Sequence, residues 1–569
     1  MKLGISLGYN SSACIINDDG ILLYAASEER FTNIKNCKKF PILAIQNGIK
    51  FLNIKPSEIN ECFYSHYQDY DIYDLYRHTY SINDMIEHRY ERYVDKSKEN
   101  KFEKSFIEQH LYMLGIECKI NRVSHHKSHA YSSYALFENM ENSLYIVMDG
   151  FGDGVSISAY KLGQSGLINI YKLPMCYSIA LLYQFVTGAM GFKEHQHEGK
   201  ITGLASFGKP IYLDELKNLF ESFLELENDY EKYSPIIDFD IFVKMKQLVY
   251  DYIIDLLNNS NDEFETKKNI AASVQQFTED YVIGVIMEII DISGYSNCNV
   301  YLSGGLFANV KLNQHIHEYI DCIDNIFVTP CMGDEGTCIG AVMSSMYPFK
   351  CVSRISNKTM RIGTNNVITE EFIPKDVNYI YIDDIDELAK DIATELSDNK
   401  IVCLFDGRME FGPRALIGRS ILYNCKDVNS NRWLNEQLGR TEFMPFAPFC
   451  KEENLRDLFY NVNGKEVALK NMTITVNCKD YFVKNCPAAC HIDNTARPQA
   501  INKYELPIAW KILDEYEKIT KEKALINTSF NLHNFPIIES IENAVYSWLT
   551  SNTHYLYVNS MEGWYKLYR

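Results

Sequence analysis

At 569 residues the chain is too long for one core, and its length predicts three or four domain-sized units. Apolar residues make up 46% and charged residues 23%, a globular balance that excludes a mainly disordered chain. The net charge of −19 argues against broad nucleic-acid or anionic-membrane binding, so an anionic ligand would need a local basic pocket.

The opening MKLGISLGYN has no apolar signal core, and no run approaches a membrane span. The 16 cysteines contain no Cys-x-x-Cys pair and read as reduced thiols. A cytoplasmic protein with no nucleic-acid or membrane partner is expected.

Three short apolar runs, 3–8, 12–17 and 21–27, are separated by Tyr9-Asn10-Ser11 and Asp18-Asp19-Gly20 and predict an antiparallel meander. SEERFTNIKNCKKFP follows, with Glu28, Glu29, Arg30 and Lys35; a solvated turn is the default reading of such a run. Residues 63–83 carry Tyr64, Tyr67, Tyr70, Tyr73, Tyr76 and Tyr80. Their near-threefold spacing suits a packing stripe, or the lining of a pocket for a polyhydroxylated ligand. Residues 86–110 read as a solvated helix.

Ser124 reads as an N-cap for a helix through Phe137. On it His125 and His129 share a face with Cβ atoms about 5–6 Å apart, a spacing that lets two imidazoles reach one metal ion. An ordinary packed pair is the plainer reading of that spacing. The apolar run 144–148 predicts a buried strand ending in Asp149-Gly150, and Asp153-Gly154 a tight turn into a second strand.

Residues 191–210 read as a flexible polar loop containing Lys200, and 212–290 as a helical layer with acidic surfaces. A strand at 299–302 enters Ser303-Gly304-Gly305, then a helix with Asn309 and Asn313, a geometry suited to a phosphate or ribose. After a strand at 326–329, Asp334 sits at another strand's carboxyl end, where ligands gather in α/β sheets. His125, His129, Asp149 and Asp334 thus form a candidate N₂O₂ set, better suited to Fe²⁺ or Zn²⁺ than to Mg²⁺.

Periodicity is lost over 345–380, which predicts a linker, and a new unit begins near Asp384 with a helix and a strand at 401–405. The segment 401–440 holds Arg408, Arg414, Arg419, Arg432 and Arg440, whose guanidinium forks match phosphate and carboxylate oxygens. Arg497 lies in HIDNTARPQ, and LINTSFN places Asn527, Thr528, Ser529 and Asn531 at a strand end.

The set EERFTNIK, HHKSHA, MDGFGDG, EGK-x-x-GLA, SGGLFAN, GDEGT, GRMEFGPRAL, TEFMPFAP, TARPQ and NTSFN resembles the O-carbamoyltransferases of the nodulation-factor and antibiotic-tailoring type. The match runs in order over nearly the whole chain. The resemblance implies an α/β protein: an actin-like (ASKHA) domain with ribonuclease-H-like halves over 1–355, a linker at 356–383, and a YrdC-like α/β domain over 384–569. It implies that the C-terminal half makes carbamoyl-adenylate from carbamoyl phosphate and ATP with Mg²⁺. The N-terminal half then passes the carbamoyl group to a hydroxyl of a small-molecule acceptor, a natural product or sugar, with Fe²⁺ or another divalent transition metal in the site. A monomer or homodimer is expected.

Carried over by residue, the metal ligands are His125, His129, Asp149 and Asp334, the first three joining Lys35 as the catalytic set. Gly304, Gly305 and Asn309 fall on the nucleotide loop, Lys200 near the transfer site, and Arg414, Arg497 and Ser529 on carbamoyl-adenylate contacts. Arg408, Arg440 and Asn527 complete the cofactor-binding set. The chain departs from the family pattern at Leu438 and Met444, where a Lys and an Arg are expected, and at Asn534-Phe535 in place of Gly-Glu. Arg440 is the nearest cation to compensate. Two rival readings stand beside this one. An actin-like ATPase or kinase is opposed by the Arg-rich segment; a non-catalytic binding protein that has lost activation is permitted by the departures.

Overall fold

The computed structural model describes residues 1–65, 96–225, 235–347, 359–437 and 446–569. The Tyr-rich stretch beyond residue 65, and Leu438, Arg440 and Met444, lie outside the described residues.

The N-terminal meander forms as expected, from β1 (Lys2–Ser6), β2 (Ser12–Ile16) and β3 (Leu22–Ser27), paired antiparallel. β4 (Glu61–Ser65) and β5 (Lys119–Val123) extend the sheet in parallel, giving the order β3-β2-β1-β4-β5. A second sheet contains β6 (Ser143–Gly152), β7 (Val155–Gly163), β8 (Gly166–Pro174), β9 (Cys298–Ser303) and β10 (Ile323–Val328). Its order, β8-β7-β6-β9-β10, repeats the first in both sequence and strand sense. The central strands β1, β6 and β9 are almost continuously buried, as parallel strands covered on both faces must be.

Between the sheets two helices pack on each other, His125–Leu136 against β6 and β9, and Thr337–Met343 against β1 and β4. Each sheet therefore carries a helix from the other half of the repeat. Gly340 allows the approach, since a Cβ there would sit 1.7 Å from the Ser128 carbonyl oxygen. The expected helical layer is present as Leu213–Glu225, Pro235–Asn258 and Glu263–Ser293.

The C-terminal half is built on an eight-stranded mixed sheet of order β12-β22-β21-β13-β15-β20-β16-β19. Its strands are β12 (Asn378–Ile382), β13 (Val402–Phe405), β15 (Arg419–Tyr423), β16 (Ala447–Lys451), β19 (Gln499–Ile501), β20 (Ala524–Ser529), β21 (Tyr555–Asn559) and β22 (Trp564–Tyr568). Helices Ile385–Ser397 and Pro507–Thr520 bury Leu388, Ile392, Ile512 and Tyr516 in a core shared with this sheet.

The expected linker at 356–383 is corrected by its described part. β11 (Arg361–Asn365) pairs with β14 (Arg408–Glu410) and packs on β3, while β12 is the sheet edge. Both strands escape a periodicity reading for physical reasons. β11 buries an Arg361–Asp406 ion pair at 2.9 Å where an apolar residue would signal a core, and β12 is exposed over four of its five residues. The two halves are joined by more than the chain. Lys465 Nζ meets Glu318 at 2.7 Å, Lys311 meets Asp493 at 2.8 Å, and Arg30 Nη2 donates to the Gly412 carbonyl at 2.7 Å. Among the described residues, no helix is long and apolar enough to cross a membrane.

Candidate active site: a histidine–aspartate cluster and a cationic cavity

β6 runs straight to Met148, then breaks register before Gly152, turning Asp149 out of the ladder. The Asp149 carboxylate accepts the Gly305 N–H at 3.0 Å, and its carbonyl accepts the Ser178 hydroxyl at 3.1 Å. Asp153 and Gly154 both take positive φ (56° and 75°), as a tight hairpin turn requires. The helix after β5 begins where expected, but the Ser124 side chain does not cap it. Asp153 accepts the His125 N–H at 2.9 Å instead, and pairs with Arg122 at 2.9 Å. The hairpin turn therefore caps the helix that carries the histidines.

His125 and His129 are buried, with Nε2 atoms 3.1 Å apart. His125 Nε2 lies 3.1 Å from Asp149 and 3.3 Å from Asp334; for His129 Nε2 the distances are 3.8 and 3.5 Å. One ligand atom from each of the four residues falls within 4.8 Å of the others. Asp334 is held by its own backbone, whose carbonyl accepts hydroxyls of Ser6 and Thr337, each at 2.7 Å. Burial opposes a charge on His125, but the two carboxylates outweigh it and raise its pKa well above the usual range. Against the same burial, the histidines hold Asp149 and Asp334 below the ordinary carboxylate value. His126 turns away to Ser158, 2.8 Å from its Nδ1, and burial lowers it to about 3. Two facing imidazole nitrogens between two carboxylates suit a bound cation, and the donor set fits a divalent transition metal.

A cavity of about 240 Å³ lies between the halves. Lys35, Gln196 and His197 line it from the N-terminal half, and Arg414, Arg497, Asn527 and Ser529 from the C-terminal half. Arg414 and Arg497 have no ion-pair partner among the described residues, and their Nε atoms are buried without hydrogen bonds. Burial lowers Arg414 to about 10, and burial together with Arg414 lowers Arg497 well below its ordinary value. Asn527 Nδ2 donates to the Ala415 carbonyl at 3.1 Å and to Gln499 at 2.8 Å.

Other expected residues have structural work. Arg408 donates to backbone carbonyls of Leu23, Ile362 and Gly363, tying β3 to β11, and is not among the residues lining the cavity. Asn309 caps the helix Val310–Tyr319 through Leu312 N at 3.1 Å and bonds Gln275 at 2.8 Å. Gly304 takes φ +104° beside the Met148 carbonyl, so the Gly304-Gly305 pair braces β6 and Asp149. The loop expected around Lys200 is in part the helix Glu198–Ala205, and its neighbours Gln196 and His197 reach the cavity. Sequence reasoning passed over those two, although they lie in the same singled-out stretch.

The described residues thus form two joined α/β halves, with a candidate metal centre in one and a cationic cavity at their junction. Family profiles described as "Carbamoyltransferase N-terminus" and "Carbamoyltransferase C-terminus" match residues 1–343 and 393–562. The chain belongs to the carbamoyltransferase family and is a transferase, as its motifs led one to expect. It is 30% identical over 562 residues to an uncharacterised protein of Methanocaldococcus jannaschii, covering 97% of each chain. It is 26% identical over 567 residues to the nodulation protein NolNO of Sinorhizobium fredii, covering 97% of this chain and 78% of that one. Among solved structures, (R)-2-hydroxyglutaryl-CoA dehydratase component A of Acidaminococcus fermentans matches with TM-score 0.35 and 12% identity, over 60% of this chain and 96% of that one.

Proposed function

We propose that this carbamoyltransferase activates its carbamoyl group with ATP. In this reading the C-terminal half, a YrdC-like unit over 384–569, forms carbamoyl-adenylate from carbamoyl phosphate, ATP and one water, releasing phosphate and pyrophosphate. The N-terminal half, an actin-like unit over 1–355, passes the carbamoyl group to a hydroxyl of a small-molecule acceptor and releases AMP. The duplicated β3-β2-β1-β4-β5 order supports the actin-like assignment.

The observation that carries the activation step is the Arg414–Arg497 pair. Two half-buried guanidiniums, with buried Nε atoms and no ion-pair partner among the described residues, repel each other, and a phosphate bound between them would satisfy both. Lys35 brings a further cation from the other half, so a phosphate-bearing ligand would contact both units. Asn527 and Ser529 offer amide and hydroxyl groups on the same wall. Closing such a ligand between the halves would keep a labile acyl-adenylate from water.

His125, His129, Asp149 and Asp334 would hold a divalent transition metal, Fe²⁺ being the ion the motif resemblance implies, and Mg²⁺ would accompany ATP. The bound metal would supply Lewis acidity toward a carbonyl or phosphate oxygen. Gly305 and Ser178 would hold Asp149 in place through its carboxylate and its carbonyl.

The test is to incubate the protein with ATP and carbamoyl phosphate and to follow nucleotide products. Pyrophosphate formed only when carbamoyl phosphate is present supports the reading. ADP would indicate a kinase, and no turnover a binding protein; either overturns it.

A further inference from the structure

The loop 411–418 carries Arg414, and only its apex, Pro413 to Ala415, lines the cavity. The rest of the loop is pinned from several sides. Arg30 of the N-terminal half donates to the Gly412 carbonyl at 2.7 Å, and Asn527 to the Ala415 carbonyl at 3.1 Å. The densest pin is a single carboxylate oxygen. Glu410 Oε1 accepts the backbone N–H groups of Leu416, Gly418 and Arg419 at 2.8, 2.6 and 2.9 Å. Glu410 is 1% exposed, and its other oxygen is buried with no hydrogen-bond partner among the described residues.

Inside this cradle the backbone is strained. Ile417, between two of the donated N–H groups, has φ +70°, a region a β-branched side chain rarely adopts. Its N–H turns aside to Ser420 Oγ at 3.1 Å. Converging backbone N–H groups form an anion-binding concavity, and here the occupant is the protein's own carboxylate. A charged acceptor can hold a left-handed isoleucine where a neutral turn would relax. Gly418 leaves room for it, since a Cβ there would lie 2.9 Å from the Glu410 carboxyl carbon and oxygen.

We propose that Glu410 is a positioning residue for substrate binding: by holding the strained 416–419 backbone it presents Arg414 to the phosphate of carbamoyl phosphate. The inference rests on the anion-site reading of the cavity given above. Glu410 does not touch the ligand; it acts through the loop.

The test is a double-mutant cycle on the full chain, read as the KM for carbamoyl phosphate and for ATP in carbamoyl-phosphate-dependent ATP–pyrophosphate exchange. The variants are Glu410→Gln, Arg414→Ala and the pair. Glu410→Gln should raise the carbamoyl phosphate KM at least about tenfold, with a smaller change for ATP. The double variant should be no worse than Arg414→Ala alone, because Glu410 has nothing left to position. Full additivity of the two effects, or equal rises in both KM values, overturns the proposal. If Arg414→Ala leaves the exchange unchanged, the anion-site reading fails and the inference with it. Should Glu410→Gln fail to fold, Glu410→Asp keeps the charge and moves it back by one methylene. It should show the same selective rise in smaller measure, and an unselective rise, or none, overturns the proposal.

Discussion

The Gly305 amide donates to Asp149 Oδ1 at 3.0 Å, while a Cβ built on Gly305 would lie 2.9 Å from that same oxygen. The bond and the clearance come from one atom's absence. Gly305→Ala should therefore displace the carboxylate and weaken transition-metal binding about ten- to a hundredfold, the range for losing a partner that orients a ligand. Metal titration of the apoprotein reads this directly, and unchanged affinity would remove Gly305 from the metal site.

His129→Ala should abolish carbamoyl transfer and metal retention but leave carbamoyl-phosphate-dependent pyrophosphate release largely intact. The reason is spatial: His129 sits in the cluster at the carboxyl ends of β6 and β10, whereas Arg414 and Arg497 face the cavity. Parallel loss of both activities would contradict the division of labour between the halves.

Arg497→Met should raise the melting temperature of the ligand-free protein, since it relieves repulsion with Arg414 and the partial burial of a charge that has no ion-pair partner among the described residues. The same change should weaken carbamoyl phosphate binding about ten- to a hundredfold, from a charged hydrogen bond of about 1.5–3 kcal/mol. Thermal melts with and without inorganic pyrophosphate as probe check both signs. A lower melting temperature with unchanged stabilisation by pyrophosphate would refute the account.

Burial pushes the Glu198 carboxyl up to about 7, against the backbone N–H groups of Glu198 and His195 that favour its charge. A raised acid stabilises the fold fully below its unfolded pKa, about 4.5, and loses that contribution as pH rises through about 7. Glu198→Gln should thus melt progressively higher than the wild type as pH rises from about 4.5 to about 7, with little difference at lower pH. A melting difference that does not vary with pH would refute the burial account.

Several elements were legible from local pattern alone. The i,i+4 histidines, the meander and the strand-end aspartates each follow from periodicity within about ten residues, which is the range over which backbone geometry dictates side-chain direction. Elements whose burial is polar or one-sided were not. β11 hides its core position behind the Arg361–Asp406 pair, and β12 is an exposed edge, so neither shows the alternation that marks a strand. The helix Glu198–Ala205 contains two glycines and reads as a loop until packing against Glu263–Ser293 is seen.

By itself, the order of motifs along this chain determined its family and the four residues of the cluster, because ligand type and local spacing are written in sequence. Tertiary structure decided which cations are available. Arg408 and Arg414 lie six residues apart with the same chemistry, yet one is engaged by the carbonyls of Leu23, Ile362 and Gly363 while the other faces a cavity beside Arg497 and Lys35. Nothing local separates them. A guanidinium's role depends on which acceptors the fold brings within about 3 Å, and those acceptors lie far away along the chain, so only long-range packing could assign it.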